Sequence, residues 1–338
     1  MQAVWYEAQG AAREVLVFGE MPDPVPADGE VRIRIHASGI NPGDVKKRQD
    51  AFGVGMPFPR VVPHSDGAGV IDCVGHGVPA SRLGQRVWCY GAQTYRPFGT
   101  AAESAVVPSA QAVPLADVVS FEQGACLGIP GLTAHRAVHA GGPVPGCMVL
   151  VQGGAGSVGQ CAVGLARMGG ARVIAVVRSV ADADVAKRAG AHEVVCTEGR
   201  TAADWVEQLR RLAPDGVDHI VEVAFDANIE LDTELLAVGG SIAAYATGQT
   251  APSIPFWPLV FKNVHLHFLG SDDFPDSAKA KAAAAMNELL GSGWPGFTID
   301  SVFPLIRTTE AHERVESGHW AGRVVVQVPG VDTRGLQR

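Results

Sequence analysis

The stretch Glu30–Gly39 reads EVRIRIHASG, with Val31, Ile33, Ile35 and Ala37 apolar and Arg32, Arg34 and His36 polar between them. Side chains of a strand alternate between its two faces, so this period of two predicts a strand with one face buried. Shorter apolar runs at 1–6, 68–74, 85–90 and 102–107, punctuated by Pro and Gly, predict more strands and make residues 1–122 a β-rich region. From 147 the pattern changes. Apolar runs at 147–152, 172–177, 193–196, 218–223, 240–246 and 264–269 alternate with helix-period stretches at 157–169, 181–189, 201–213, 229–237 and 255–262. A crossover helix is the usual route back to a parallel neighbour, so this alternation predicts a doubly wound parallel sheet of six strands. Beyond it, KAKAAAAMNELL predicts a helix stopped by Gly291, and RVVVQV at 323–328 predicts a strand. A lone terminal strand needs a partner sheet, and the N-terminal region offers one. The expected organisation is therefore residues 1–122 plus 271–338 as one domain, with 123–270 inserted as the other.

Composition narrows the classes. The 338 residues suit two domains of roughly 150 each. A net charge of −8 argues against nucleic-acid or membrane-surface partners, which need a basic face. No apolar run reaches the roughly 18 residues of a membrane span. The start, MQAVWYEAQG, lacks the basic and apolar segments of a secretory leader, so a cytoplasmic location is expected. Six cysteines, none in a Cys-x-x-Cys pair, read as reduced core thiols.

The stretch with the most chemistry is VQGGAGSVGQ, residues 151–160. Gly154, Gly156 and Gly159 fit G-x-G-x-x-G between a predicted strand and a predicted helix, the context in which the motif binds a dinucleotide. Gly154 is expected to make the tight turn, Gly156 to let the backbone approach a pyrophosphate, and Gly159 to let the helix pack on the strand. The backbone of Ala155, Ser157 and Val158 completes the loop at a helix N-terminus suited to phosphate. The following strand ends in Arg178-Ser179 where an NAD-binding fold usually carries a carboxylate for the ribose hydroxyl. An arginine and a hydroxyl suit a 2′-phosphate, so NADPH is the expected cofactor; Arg178 also fits a solvated surface charge.

With these parts in place the chain resembles the medium-chain dehydrogenase/reductase superfamily, and within it the zinc-free quinone oxidoreductase (zeta-crystallin-like) branch. The resemblance is carried by ASGINPGDVKKR (37–48), PHSDGAGVIDCVG (63–75), GQRVW (84–88), GLTAHRAV (131–138), GGAGSVG (153–159) and SGHWAGRVVVQV (317–328). It implies a Rossmann domain inserted into a GroES-like β domain, with an active cleft between them. It also implies a homodimer, often paired through the last Rossmann strand, here NVHLHFLG.

The zinc alcohol dehydrogenases of the superfamily carry Cys where this chain has Asn41 and His-Glu where it has Ser65-Asp66. An amide and a hydroxyl are poor zinc ligands, so no metal is expected. His135 and His139 have helical spacing, but Arg136 stands where a metalloprotease has Glu, so they read as ordinary helix residues. What remains is direct hydride transfer from reduced nicotinamide to a small-molecule acceptor, a quinone or an α,β-unsaturated carbonyl. The resemblance puts Asn41 near nicotinamide and substrate, although a turn residue before Pro42 reads the same way, and lets Asp44 organise its loop. It puts Thr133 near the nicotinamide end, where a helix cap is the alternative. The backbone around Tyr245, Ala246 and Thr247, and around Leu269 and Gly270, is expected to border the nicotinamide ribose and carboxamide. Arg323 fits either a cofactor contact or a structural role. Phe52 stands where many relatives carry Tyr, so a proton comes from water, Ser65 or His64. His64 replaces a usual Gly and is either a titratable group beside the site or a packed imidazole. Cys196-Thr197 replaces a usual Tyr before the third cofactor-domain helix. Two other functions stay open: reduction of another activated alkene, such as an enoyl thioester or haloacrylate, and a non-catalytic NADPH-binding sensor or structural protein.

Overall fold

The structure is a computed structural model that describes residues 1–318 and 322–328. His319–Ala321 of the SGHWAG stretch and residues 329–338 of the expected first domain lie outside the described residues. The chain divides into two compact units, Met1–Ile129 with Phe297–Arg338, and Pro130–Gly296.

In the first unit the period-two stretch forms the long strand Glu30–Gly39, the hub of a seven-stranded sheet. Its neighbours are Asp66–Val74 and, along its first half, Ser104–Pro108, both antiparallel. Arg86–Cys89 and Ala112–Pro114 continue the sheet on one side. On the other, the returning strand Arg323–Gln327 pairs antiparallel with Ala37–Gly39 and parallel with Ile299–Pro304. A separate pair, Gln2–Trp5 and Val17–Glu20, closes the N-terminus. Val31, Ile33 and Ile35 are fully buried with Val87, Val107, Val324 and Val326 in one core. Val17–Glu20 and Ala112–Pro114 were not expected, because runs of three or four residues are too short to show a period.

The second unit holds six parallel strands in the order Glu193–Cys196, Arg172–Val177, Met148–Gln152, Val217–Glu222, Leu236–Ala244 and His265–Phe268. This is the expected doubly wound sheet. Strand order reverses between Met148–Gln152 and Val217–Glu222, and at such a switch point the loops leave in opposite directions and open a crevice. Leu150, Ile174, Ile220 and Ile242 fill the centre.

Two differences bear on the organisation. The helix expected at 229–237 runs Phe225–Leu235, and Leu236 already takes extended backbone (φ −64°, ψ 140°) to start the next strand. The alanine-rich helix, Asp276–Gly291, belongs with the second unit rather than the first. Its packing explains why: a Cβ on Gly131 would lie 2.6 Å from Met286 Cγ, and one on Gly164 would lie 3.1 Å from both Leu289 Cδ atoms. The helix sits on glycines of the second unit.

Candidate active site

In the second unit the strand Met148–Gln152 runs into the glycine loop and then the helix Ser157–Met168. Gly153, not Gly154, makes the turn: its φ is +67°, in the left-handed region that favours glycine. Gly154 is instead a close-approach position, where a Cβ would lie 2.6 Å from that of Ala175. A Cβ on Gly159 would fall 2.1 Å from the Gly153 carbonyl oxygen, so helix and loop touch backbone to backbone. Gly156 is the N-cap and brings no capping side chain, while Gln160 Nε2 donates to the Ala155 carbonyl at 2.7 Å and braces the loop. A Cβ there would meet only the Gly153 carbonyl oxygen, at 3.2 Å, so the loop is open on that side. This uncapped helix start at a switch point fits the pyrophosphate of a dinucleotide.

The other expected cofactor positions lie at the carboxyl ends of the same sheet. Arg178 and Ser179 follow Arg172–Val177, Tyr245–Thr247 follow Leu236–Ala244, and Leu269–Gly270 follow His265–Phe268. Arg178 is exposed. The Ser179 hydroxyl accepts the Asp182 N–H at 3.2 Å, capping the helix Val180–Ala189, and keeps its own proton to donate. Tyr245 N–H donates to the Glu222 carbonyl at 3.1 Å and Leu269 N–H to that of Ala244 at 3.0 Å. The Thr247 hydroxyl donates to Asp226 at 3.0 Å. Burial pushes the Tyr245 phenol up. Thr133 is buried inside the helix Gly128–Val138, which removes the helix-cap reading. Glu198, which no motif singles out, joins these positions: its carboxylate accepts the Val180 N–H at 2.9 Å. A carboxylate therefore stands at the N-terminus of the helix that Arg178 and Ser179 precede.

In the first unit Asn41 is buried at the N-cap of the helix Pro42–Arg48, and its N–H donates to Asp44 Oδ2 at 2.8 Å. Asp44 thus organises the loop. Asn41 Nδ2 donates to Asp66 Oδ2 at 2.7 Å, and Asn41 Oδ1 accepts from Arg323 Nη2 at 3.0 Å. A guanidinium only donates, so the amide can stand only this way round, and among the described residues its second hydrogen meets no acceptor. Asp66 is fully buried, and both its oxygens also accept from Ile129 N–H, at 3.0 and 2.9 Å. Burial pushes its carboxyl up to about 7, against the hydrogen bond from Asn41 and the charge of Arg323, with Asp44 reinforcing the rise. Arg323 is 1 % exposed and holds the amide through Nη2, the arrangement that the structural one of its two readings calls for.

Of the two readings of His64, the structure shows the packed one. Its imidazole is fully buried between Ser38 Oγ (2.8 Å from Nδ1) and His312 Nε2 (2.9 Å from Nε2), and burial pulls its pKa down to about 3. Ser65 is buried, and its carbonyl accepts the Ala92 N–H at 3.0 Å. Phe52 is 56 % exposed on the turn after Pro42–Arg48. His135 and His139 lie ring beside ring, 4.7 Å between centroids, and burial lowers both, His135 to about 4. The donor set at Asn41, Ser65 and Asp66 does not fit zinc: it offers an amide, a hydroxyl and a single carboxylate already held by Asn41 and Ile129.

A doubly wound sheet with a glycine loop at its switch point, joined to an antiparallel β unit carrying a fixed amide, defines a nicotinamide-dependent oxidoreductase. Two family models match: the alcohol dehydrogenase GroES-like domain over residues 27–117 and the zinc-binding dehydrogenase domain over residues 157–285. The chain belongs to the medium-chain dehydrogenase/reductase family, in its quinone oxidoreductase-like part. It is 31 % identical to the quinone oxidoreductase of Rattus norvegicus over 319 residues, 93 % of this chain and 94 % of that one. A mycobacterial protein solved in complex with NADPH superposes with a TM-score of 0.83 at 26 % identity, over 97 % of this chain and all of that one. A structure described as an NAD-dependent alcohol dehydrogenase superposes with a TM-score of 0.84 at 30 % identity, over 97 % and 100 %. The zinc in the second model's description has no ligand set at Asn41, Ser65 and Asp66.

Proposed function

We propose that the chain is a zinc-independent, NADPH-dependent reductase that passes hydride to a quinone or an α,β-unsaturated carbonyl. The observation that carries this reading is the Asn41 amide, locked by Asp66 and Arg323 with one N–H left to donate. A donor held in this way lowers the energy of an oxyanion that develops on a carbonyl, because it needs no reorganisation during the reaction.

Bound NADPH supplies the hydride. Gly153–Gly159 and the start of the helix Ser157–Met168 would hold its pyrophosphate, Arg178 and Ser179 its 2′-phosphate, and Tyr245–Thr247, Leu269–Gly270 and Thr133 its nicotinamide end. The loop suits such a group because it is open at Gly156, where a Cβ would meet only the Gly153 oxygen, and the helix start there carries no capping side chain. Asn41 donates to the substrate carbonyl oxygen, while Asp44 and Asp66 keep the amide in place. Phe52 has no hydroxyl and both His64 and Ser65 are buried, so the final proton comes from water.

The reading includes a homodimer. Phe256, Trp257, Phe261 and Phe268 are all exposed, on the helix Phe256–Phe261 and the edge strand His265–Phe268. An apolar patch beside an open strand edge suits a second copy. It also includes a reducing compartment, the cytoplasm, in keeping with cysteines that form no disulfide among the described residues. No described helix is long and apolar enough to cross a membrane.

The test is NADPH oxidation followed by absorbance with quinones, short enones, a haloacrylate and an enoyl thioester, with NADH in parallel. Turnover of quinones or enones with NADPH is expected, with Asn41→Ala losing about a hundredfold in kcat. A preference for the haloacrylate or thioester would replace the acceptor class. Tight NADPH binding without turnover would replace the enzyme reading by a sensor or structural one.

A further inference from the structure

Between the helix Thr308–Glu316 and Asp66 runs a row of polar side chains, all fully buried: Arg48, His312, His64, Ser38 and Thr100. Arg48 Nε donates to His312 Nδ1 at 3.4 Å, and His312 Nε2 stands 2.9 Å from His64 Nε2. His64 Nδ1 stands 2.8 Å from Ser38 Oγ, which stands 2.7 Å from Thr100 Oγ1. Thr100 Oγ1 donates to the Asp66 carbonyl at 2.6 Å.

The two ends determine every hydrogen between them. A guanidinium only donates and a carbonyl only accepts. His312 must therefore be bare at Nδ1 and protonated at Nε2, and it donates to His64. His64 is then bare at Nε2 and protonated at Nδ1, and it donates to Ser38. Ser38 donates to Thr100, and Thr100 to Asp66. Only one neutral arrangement exists, and an added proton on either imidazole sets two N–H groups against each other. The backbone points the same way. His64 sits at φ +76°, a left-handed conformation that is rare for such a side chain and persists only where the surroundings hold it. Its carbonyl also accepts the Thr100 N–H at 3.0 Å.

We propose that His64 and His312 are positioning residues: through this one-way chain of hydrogen bonds they fix the backbone of Asp66, and with it the carboxylate that holds the Asn41 amide. The proposal rests on Asn41 being the donor to substrate. Neither imidazole touches the reacting atoms, and no proton is passed on, because the chain ends on a backbone carbonyl.

The test uses the full chain labelled with 15N at histidine and asparagine, near neutral pH, and the variants Thr100→Val and Thr100→Ser. Valine keeps the shape and removes the hydroxyl; serine keeps the hydroxyl. In the wild type, long-range proton–nitrogen spectra are expected to show His64 protonated at Nδ1 and His312 at Nε2. Thr100→Val should lower kcat about tenfold with KM for NADPH held within about twofold, and Thr100→Ser should restore kcat. Opposite tautomers, or an imidazolium, would overturn the chain, and this is read on wild-type protein even if Thr100→Val does not fold. Equal loss in the valine and serine variants, or none in valine, would overturn the positioning role. If the wild type reduces no acceptor, the functional reading fails on its own. The side-chain amide signals of Asn41 then decide: a shift in Thr100→Val that Thr100→Ser reverses supports positioning, and unmoved signals refute it.

Discussion

Replacing His64 by glycine should weaken the protein at neutral pH and at the same time make it less sensitive to acid. The buried imidazole has a pKa near 3, against 6.5 in an unfolded chain. Between these values the unfolded chain binds a proton that the folded one refuses, so stability is lost as pH falls below 6.5. At about pH 5 this amounts to roughly 2 kcal/mol from His64 alone, at about 1.4 kcal/mol per pH unit. His312, also pulled down by burial and by the neighbouring His64 and Arg48, adds a further loss of the same sign; the parts from burial and Arg48 remain in the variant, and the part from His64 goes with that residue, which adds to the variant's lower acid sensitivity. Asp66 acts in the opposite direction: its carboxyl is raised to about 7, so its burial penalty is present above that pH and fades on acidification. It too is common to both proteins and cancels in the difference. Near pH 7.5 the glycine variant leaves His312 Nε2 and the Ser38 hydroxyl without their partner, at about 1–3 kcal/mol each. Relief of the left-handed backbone returns about 1 kcal/mol. The expected net loss is about 3 kcal/mol near pH 7.5, shrinking to about 1 kcal/mol near pH 5. Urea unfolding of both proteins across that range measures the difference directly. A gap that stays constant with pH would show that His64 is not buried as a neutral imidazole.

Other expectations follow from the same geometry. Gly159→Ala puts a Cβ 2.1 Å from the Gly153 oxygen, with backbone on both sides, and should abolish NADPH binding measured by cofactor fluorescence. Arg178→Ala should weaken NADPH about tenfold and leave NADH unchanged, whereas Glu198→Gln, which removes the charge accepting the Val180 N–H, should favour NADPH over NADH by several-fold, about 1 kcal/mol. With Asp66 near 7, kcat should fall as pH drops through about 7, because a protonated carboxyl loses an acceptor for Asn41 or Ile129; a profile flat across that range counts against the ionised form as the holder. Phe261→Glu should turn a dimer into a monomer by light scattering, and an unchanged mass would place the interface elsewhere.

Where local order decides the structure, the sequence was readable. Val31, Ile33 and Ile35 alternate because one face of Glu30–Gly39 is core, and the six β-α repeats follow the two local periods. The glycine loop lies between strand and helix as the motif implies, but its turn residue differs from the one the motif suggests. G-x-G-x-x-G invites Gly154 as the turn, while the chain has a glycine one place earlier, and only the backbone shows that Gly153 takes the positive φ. Three-residue and four-residue strands carry no period to read.

The site in the first unit was half legible for a different reason. Asn41 stood out because it occupies a ligand position of the zinc enzymes, yet what fixes it, Asp66 and Arg323, lies 25 and 282 residues away. Sequence proximity carries no information about such pairs. A signal existed all the same. Along Glu30–Gly39 the alternation stops at Ala37, and Ser38 and Gly39 are buried too, where the returning strand pairs. A hydroxyl on a strand buried on both faces needs a partner, and an imidazole in place of a usual Gly needs a reason to hold a left-handed backbone. Each supplies what the other lacks: Ser38 gives His64 an acceptor, and His64 gives Ser38 a donor. The third member, His312, sits 248 residues further on and enters only through the fold. The buried polar row is thus a tertiary requirement that shows in the sequence as two unrelated local anomalies, Ser38 and His64, while His312 carries no local sign at all.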